Sequence, residues 1–284
     1  MKKFIGLGCS WAAGEGGYPT EIFQKFNGRC NVGMASEEDA FLRPYELQNS
    51  WVAVMCREYL KDYIPVNLGE RGVGIRGAVN QMFLTDEVDW ENDSGIICLL
   101  LPHPSRTNVF CKHRTRLHYN WHTIWPSQGH TFDPKVINTE GEWWDYIWMT
   151  RFYDEYMACH EAAMAIYSAQ VFAERYNFKF VFANGYMEKD SYKNYFEKNE
   201  VKQHLIDRID WSNYFPTKNK SYDCFMDKLI ELDNIVPEDQ HYYSYYQNLP
   251  WPGTYLTNCI HPTIEGYKFI AQELYSFIKY KNYV

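Results

Sequence analysis

The stretch Ser94-Gly95-Ile96-Ile97-Cys98-Leu99-Leu100-Leu101 constrains the fold of this chain more than any other. It is apolar without alternation, so a strand made from it must be covered on both faces, the condition of a central strand in a parallel sheet. Phe4-Ile5-Gly6-Leu7 near the start and Phe178-Lys179-Phe180-Val181-Phe182-Ala183-Asn184 later repeat the signal. Ile64-Pro65-Val66-Asn67-Leu68 is shorter and β-prone; it reads as an edge strand, because proline cannot donate to a ladder.

Helical patterns lie between these runs. Asn49-Ser50 caps a segment in which Trp51, Val54, Met55, Glu58 and Tyr59 recur at helical spacing, ending at Asp62-Tyr63. A second helix is expected over about 75–86. A long one over about 145–176 presents Tyr156, Cys159, Ala163, Ile166, Ala169 and Ala173 as a small-residue face suited to close packing on a sheet. Shorter helices are expected near 200–209 and 221–233. Thr263 caps a last helix whose inward stripe is Ile264, Tyr267, Ile270, Ala271, Leu274 and Ile278. Strand, helix and strand in this order predict right-handed βαβ crossovers and helices on both faces of the sheet. The expected fold is a single three-layer α/β/α domain of 284 residues with a mostly parallel sheet. Insertions are expected at about 14–48, 105–148 and 186–256, the first a long loop with a helix start at Ser36-Glu37-Glu38 that covers one side of the site.

The first apolar run breaks at once into Gly8-Cys9-Ser10-Trp11-Ala12-Ala13-Gly14, a strand followed by a sharp turn that lifts Ser10 out of the sheet. Open α/β sheets put their chemistry at the carboxyl ends of such strands. Taken alone, the motif favours a serine that simply caps the following segment. The far end of the chain changes the balance: Asn258-Cys259-Ile260-His261-Pro262-Thr263 places a histidine just before a helix start. A serine and a histidine need adjacency in the fold, not in sequence.

These residues carry a resemblance. Gly8-Cys9-Ser10 resembles the Gly-Asp-Ser block of the SGNH/GDSL hydrolases, and Asn258-x-x-His261-Pro262 with Gly266-Tyr267 resembles their closing Asp-x-x-His-Pro block. Asn67-Leu68-Gly69-Glu70-Arg71-Gly72 is similar to the second block, whose last glycine supplies an oxyanion-hole amide in the family. The three blocks fall in the family's order and frame nearly the whole chain. Cys9 after Gly8, and Asn49-Ser50-Trp51 ahead of the second block, resemble the divergent branch found in tailed phages and bacteria.

The resemblance implies a flavodoxin-like fold, Ser10 as nucleophile, His261 as general base, and the Ser10 and Gly72 amides as oxyanion donors, with no cofactor. The chain departs from the pattern in three places. Cys9 stands where the family's turn-supporting Asp stands and reads as a buried structural thiol. Asn258 stands where an Asp would orient the imidazole; its carbonyl, or a main-chain carbonyl, could accept from Nδ1. Pro102-His103-Pro104-Ser105-Arg106 follows the central strand where the family has Gly-x-Asn-Asp, so His103 or Arg106 is a candidate oxyanion or substrate contact, while pairing with a carboxylate is the structural alternative for Arg106. The functions implied are an ester hydrolase or deacetylase acting on an O-acyl group of a small molecule or carbohydrate, an acyltransferase using the same acyl-serine, or a catalytically impaired binding or structural module on the hydrolase fold.

Composition excludes other classes. A net charge of −8 leaves no basic surface for nucleic acid or an anionic membrane. The eight cysteines, Cys9, Cys30, Cys56, Cys98, Cys111, Cys159, Cys224 and Cys259, are scattered without a Cys-x-x-Cys pair, as in a reducing compartment. The apolar run after Met1-Lys2-Lys3 is too short for a signal peptide, and no stretch approaches the roughly 18 apolar residues of a membrane span, so a cytoplasmic location is expected.

Two other chemistries are weaker. Gly72-x-Gly74-x-x-Gly77 spells a dinucleotide pattern but lacks the following acidic partner, and the loop lacks the Lys-Ser/Thr of a P-loop. Bare amides there suit an oxyanion equally well. His113, His118, His122 and His130 lack the His-Glu-x-x-His arrangement, and no metal is expected. They lie in a stretch crowded with Trp121, Trp125, Trp143, Trp144 and Trp148, residues that stack on sugars or, more commonly, pack an insertion onto the body. Tyr242 to Tyr246, through Trp251-Pro252-Gly253, read as either a substrate-side wall or a surface flap.

Overall fold

A computed structural model describes residues 1–26, 37–104, 107–110, 121–124, 154–186, 191–216, 220–234 and 253–284. Its centre is a five-stranded sheet: β1 (Lys2–Gly8), β2 (Ile64–Asn67), β3 (Ser94–Leu101), β6 (Phe178–Asn184) and β7 (Tyr214–Phe215). The order is β2-β1-β3-β6-β7 and every pairing is parallel. This is the flavodoxin-like order expected, with proline-bearing β2 at one edge. β3 lies between β1 and β6 and is buried along its last six residues, which is why its sequence carries no alternation. The order reverses between β1 and β3, so the crevice of the fold opens at their carboxyl ends. A separate antiparallel pair, β4 (Thr107–Phe110) with β5 (Trp121–Ile124), occupies part of the stretch expected as loop.

Helices cover both faces. On one side pack α4 (Trp51–Val54), the π turn Met55–Tyr59 that continues it, and α10 (Ile264–Tyr280); on the other lie α5 (Ile75–Leu84) and α6 (Glu155–Arg175). Ser50 caps α4 by accepting from the Ala53 amide, and Trp51, fully buried, meets the Phe4 ring edge-on at 5.8 Å. Burial of Leu7, Ile97, Leu99, Phe182, Leu274 and their neighbours makes one core around the sheet.

Several boundaries differ from expectation, each for a local reason. The region 14–48 is not one loop: it holds α2 (Thr20–Lys25) and α3 (Glu37–Asn49). Pro44 inside α3, together with its polar sequence, masks a helix anchored by fully buried Leu42 and Glu46. α6 starts at Glu155 because the Asp154 carboxylate caps it by accepting from the Tyr156 amide; 145–153 lie outside the described residues. The helix expected over 200–209 is only the short α8 (Gln203–Ile206); α7 (Tyr192–Lys198) precedes it, and Glu200 in the left-handed conformation separates the two. The next, expected over 221–233, is α9 (Phe225–Leu232), capped by Cys224.

Candidate active site

Ser10 follows β1 at the carboxyl edge of the sheet. Cys9 leaves the strand extended, and its carbonyl accepts from the Ala12 and Ala13 amides at 2.9 Å, so α1 (Ser10–Ala13) is a single turn with Ser10 first. The cap position belongs to Cys9, which leaves the Ser10 hydroxyl available to a partner outside its own turn. The loop after β2 is tied beside this turn: Leu68 and Glu70 donate to the Gly6 and Gly8 carbonyls at 2.9 and 3.0 Å, and the Asn67 side chain accepts from the Gly69 amide at 3.0 Å.

The histidine is held by a small closed loop. Thr257, fully buried, donates its amide to the His261 carbonyl at 2.8 Å, and its hydroxyl accepts from the His261 amide at 3.0 Å and the Cys259 amide at 3.3 Å. Closing the loop forces Ile260 to φ 60°, a left-handed conformation that is strained for a β-branched residue. The Ile260 carbonyl then accepts the Trp11 indole N–H at 3.1 Å, so the residue next to the serine grips the residue next to the histidine. Thr263, whose hydroxyl caps α10 through the Gly266 amide, fixes where the loop ends.

From these supports His261 Nε2 lies 2.9 Å from Ser10 Oγ. Ser10 is 6% exposed and the His261 side chain 15%, so the pair is sheltered and reachable. A carboxylate joins them: Glu15 Oε2 is 3.4 Å from the same Nε2 and 3.7 Å from Arg71 Nε. Arg71 also pairs with buried Glu46, which accepts from the Tyr18 hydroxyl and, at 3.3 Å, from Arg43. Burial opposes the Arg71 charge, but the Glu46 and Glu15 carboxylates outweigh it and hold the guanidinium above its ordinary range. Burial, reinforced by Glu46, raises the Tyr18 phenol; burial, reinforced by Glu15, raises that of Tyr267, so both stay neutral.

The expected residues are therefore distributed unevenly. Ser10 and His261 meet. Gly72 sits in the loop after β2, one residue from Arg71, at φ 76° with open space beside its α-carbon among the described residues. Asn258 stands in the His261 loop, where its Oδ1 accepts from the Cys259 thiol at 3.7 Å. His103 follows β3 and sets its ring edge-on to Tyr195 at 6.0 Å. Arg106, the histidines 113, 118 and 130, the tryptophans 125, 143, 144 and 148, and the stretch 242–252 lie outside the described residues. Among the described residues no group of three or more His, Cys, Asp or Glu could hold a metal ion, and no helix is long and apolar enough to cross a membrane.

Sequence reasoning missed Glu15, Trp11, Arg71 and Thr257. Glu15 had a faint signal, a lone carboxylate in Gly14-Glu15-Gly16-Gly17, where backbone freedom lets an acid turn back toward the preceding strand end.

No protein-family model matches the chain, and no curated protein sequence matches it. Among solved structures, that of an acetyl xylan esterase, Est2A, from the rumen bacterium Butyrivibrio proteoclasticus aligns with 100% of this chain and 65% of that one, at 10% identity and a TM-score of 0.45. The chain thus spans just under two thirds of the length of that protein.

Proposed function

We propose that this protein is a serine hydrolase of the SGNH type that cleaves O-acyl esters of small molecules or carbohydrates through an acyl-serine intermediate. The observation that carries the reading is the 2.9 Å contact between His261 Nε2 and Ser10 Oγ at the carboxyl end of β1, which is hydrogen-bond reach for a base and its nucleophile. As Oγ bonds to the acyl carbon, its proton passes to Nε2. The oxyanion so formed accepts from the Ser10 and Gly72 amides, each worth a few kcal/mol when prealigned. The tetrahedral adduct collapses, the bond to the alcohol oxygen breaks, and that oxygen takes the proton from Nε2. Water then repeats the sequence against the acyl-serine, its proton passing through Nε2 back to Oγ.

A fluorophosphonate probe tests the assignment: a covalent adduct on Ser10, absent in Ser10→Ala and lost or slowed at least a hundredfold in His261→Ala, is expected. A folded protein that takes no label on Ser10 overturns it. One observation favours a second reading, a binding module on the hydrolase fold: position 258 carries an uncharged Asn bonded to the Cys259 thiol. Losing the acid of a serine-protease triad to Asn costs about 10⁴ in rate. That reading predicts an unlabelled Ser10.

A further inference from the structure

Glu15 has no task in the mechanism above, yet it is 5% exposed and firmly held. Its amide donates to the Ser10 carbonyl at 3.1 Å, and its own carbonyl accepts from the Tyr267 hydroxyl at 2.7 Å. A carboxylate is expensive to bury unless its charge is matched, and here the match is shared between Arg71 and the imidazole. Arg71 cannot neutralise Glu15 alone, because it also pairs with Glu46. Glu46 is matched by Arg71 and by Arg43 at 3.3 Å, whereas Glu15 has only a share of Arg71 and, on its other side, the imidazole of His261 among the ion pairs of the described residues.

We propose that Glu15 is the positioning residue that sets the charge state of His261, supplying from the Nε2 side the carboxylate that Asn258 does not supply. The coupling itself stands on geometry; its catalytic consequence rests on the hydrolase reading. When the Ser10 proton reaches Nε2 it lies between Oγ at 2.9 Å and Glu15 Oε2 at 3.4 Å, and the imidazolium is stabilised until the proton goes to the leaving oxygen. The other groups facing the pair are Arg71, with Glu46 and Tyr18 behind it; Tyr267 from α10; Cys9 from the nucleophile turn; and Asn258 and Cys259 from the loop of His261 itself. Both tyrosines are neutral, so the balance lies with Glu15, Glu46, Arg71 and, on the far side of Glu46 at 3.3 Å, Arg43.

The sign follows. An opposite charge within about 4–6 Å favours the charged form and moves a titration by one unit or more. Glu15 therefore raises the midpoint of His261, and Glu15→Gln lowers it. The test is an NMR titration of the His261 ring in the intact protein and in Glu15→Gln, run beside the pH profile of p-nitrophenyl acetate hydrolysis. The expected result is a midpoint lower by at least one unit in Glu15→Gln, with the acid limb of kcat/KM moving with it and the alkaline plateau falling about 10- to 100-fold. Glu15→Asp, one methylene short but still charged, should fall between the two and serves if the Gln variant does not fold. An unchanged or raised His261 midpoint in a folded variant overturns the proposal. A lowered midpoint in a protein whose Ser10 takes no fluorophosphonate supports it and overturns the hydrolase reading instead.

Discussion

Gly16→Ala isolates the contact on which the site's assembly rests. Gly16 sits at φ 92°, and a methyl there would lie 2.7 Å from the Pro262 carbonyl oxygen, 3.0 Å from His261 Cβ and 3.1 Å from Thr257 Cγ2. The left-handed conformation costs a residue with Cβ about 1–2 kcal/mol. The closest neighbour is a backbone oxygen that cannot rotate away, so overpacking adds about 1–3 kcal/mol. A stiffer unfolded chain returns about 0.4–1 kcal/mol. The expected loss is about 2–4 kcal/mol, read as a lower urea midpoint at constant m-value. The displaced atoms belong to the loop that aims His261, and a 1 Å misplacement costs about 100-fold in a positioned reaction, so fluorophosphonate labelling of Ser10 should slow by that order. Gly72→Ala is the control: φ is again positive at 76°, but the added methyl meets nothing within 4 Å, so only the conformational cost less the unfolded-chain return, a net loss of about 1 kcal/mol, is expected. Equal and small losses in the two variants would refute the reasoning, because they would show that the close approach of Gly16 to the His261 loop does not exist.

Trp11→Phe leaves the strained Ile260 carbonyl without its indole donor at 3.1 Å; about 1–3 kcal/mol of stability and a measurable part of the labelling rate should be lost, and an unchanged rate would free the loop from Trp11. Asn258→Asp should raise p-nitrophenyl acetate turnover less than about tenfold while Glu15 is present and more than tenfold in Glu15→Gln, since one carboxylate already supports the imidazolium; equal gains in both backgrounds would show that the two positions act independently. Burial pushes the Cys56 and Cys159 thiols up to about 12 and that of Cys98 higher still, so mass spectrometry after iodoacetamide treatment of native protein at pH 8 should find all three unmodified until denaturant is added. Modification of Cys98 at the rate of a free thiol would contradict its placement in the centre of β3.

What could be read in the sequence was whatever is encoded locally. β3 and β6 declare themselves because both faces of each are covered, and the observed strands match the apolar runs residue for residue. Thr263 declares the start of α10 because a cap is a short-range hydrogen bond. β7 is two residues long and pairs only with Phe182 and Ala183, so no period could reveal it. α3 is obscured by Pro44, and its buried Glu46 would be assigned to solvent by any pattern rule. Ser10 and His261 were legible because each sits in a block of neighbours that shapes its own turn; Glu15 was not, because its partners His261 and Arg71 come from two other loops, and only the closed fold puts all three side chains together.

The same geometry bounds how much Glu15 can contribute. At 3.4 Å and an effective dielectric of about 20, a carboxylate and an imidazolium attract by about 5 kcal/mol. Arg71, 3.7 Å from the same oxygen, draws on that charge, as does partial hydration of the His261 ring, so the net effect falls well below the Coulomb value. One pKa unit corresponds to about 1.4 kcal/mol, so even a quarter of the Coulomb term moves His261 by about one unit. Burying Glu46 beside Arg71 then has a definite electrostatic consequence. It engages the guanidinium that would otherwise quench Glu15, and leaves the carboxylate beside Ser10 able to stabilise positive charge on His261. An acid that supports a histidine need not precede it by three residues in the chain, nor bond to its far nitrogen; it needs only a fixed position, low hydration and a counter-ion already occupied elsewhere.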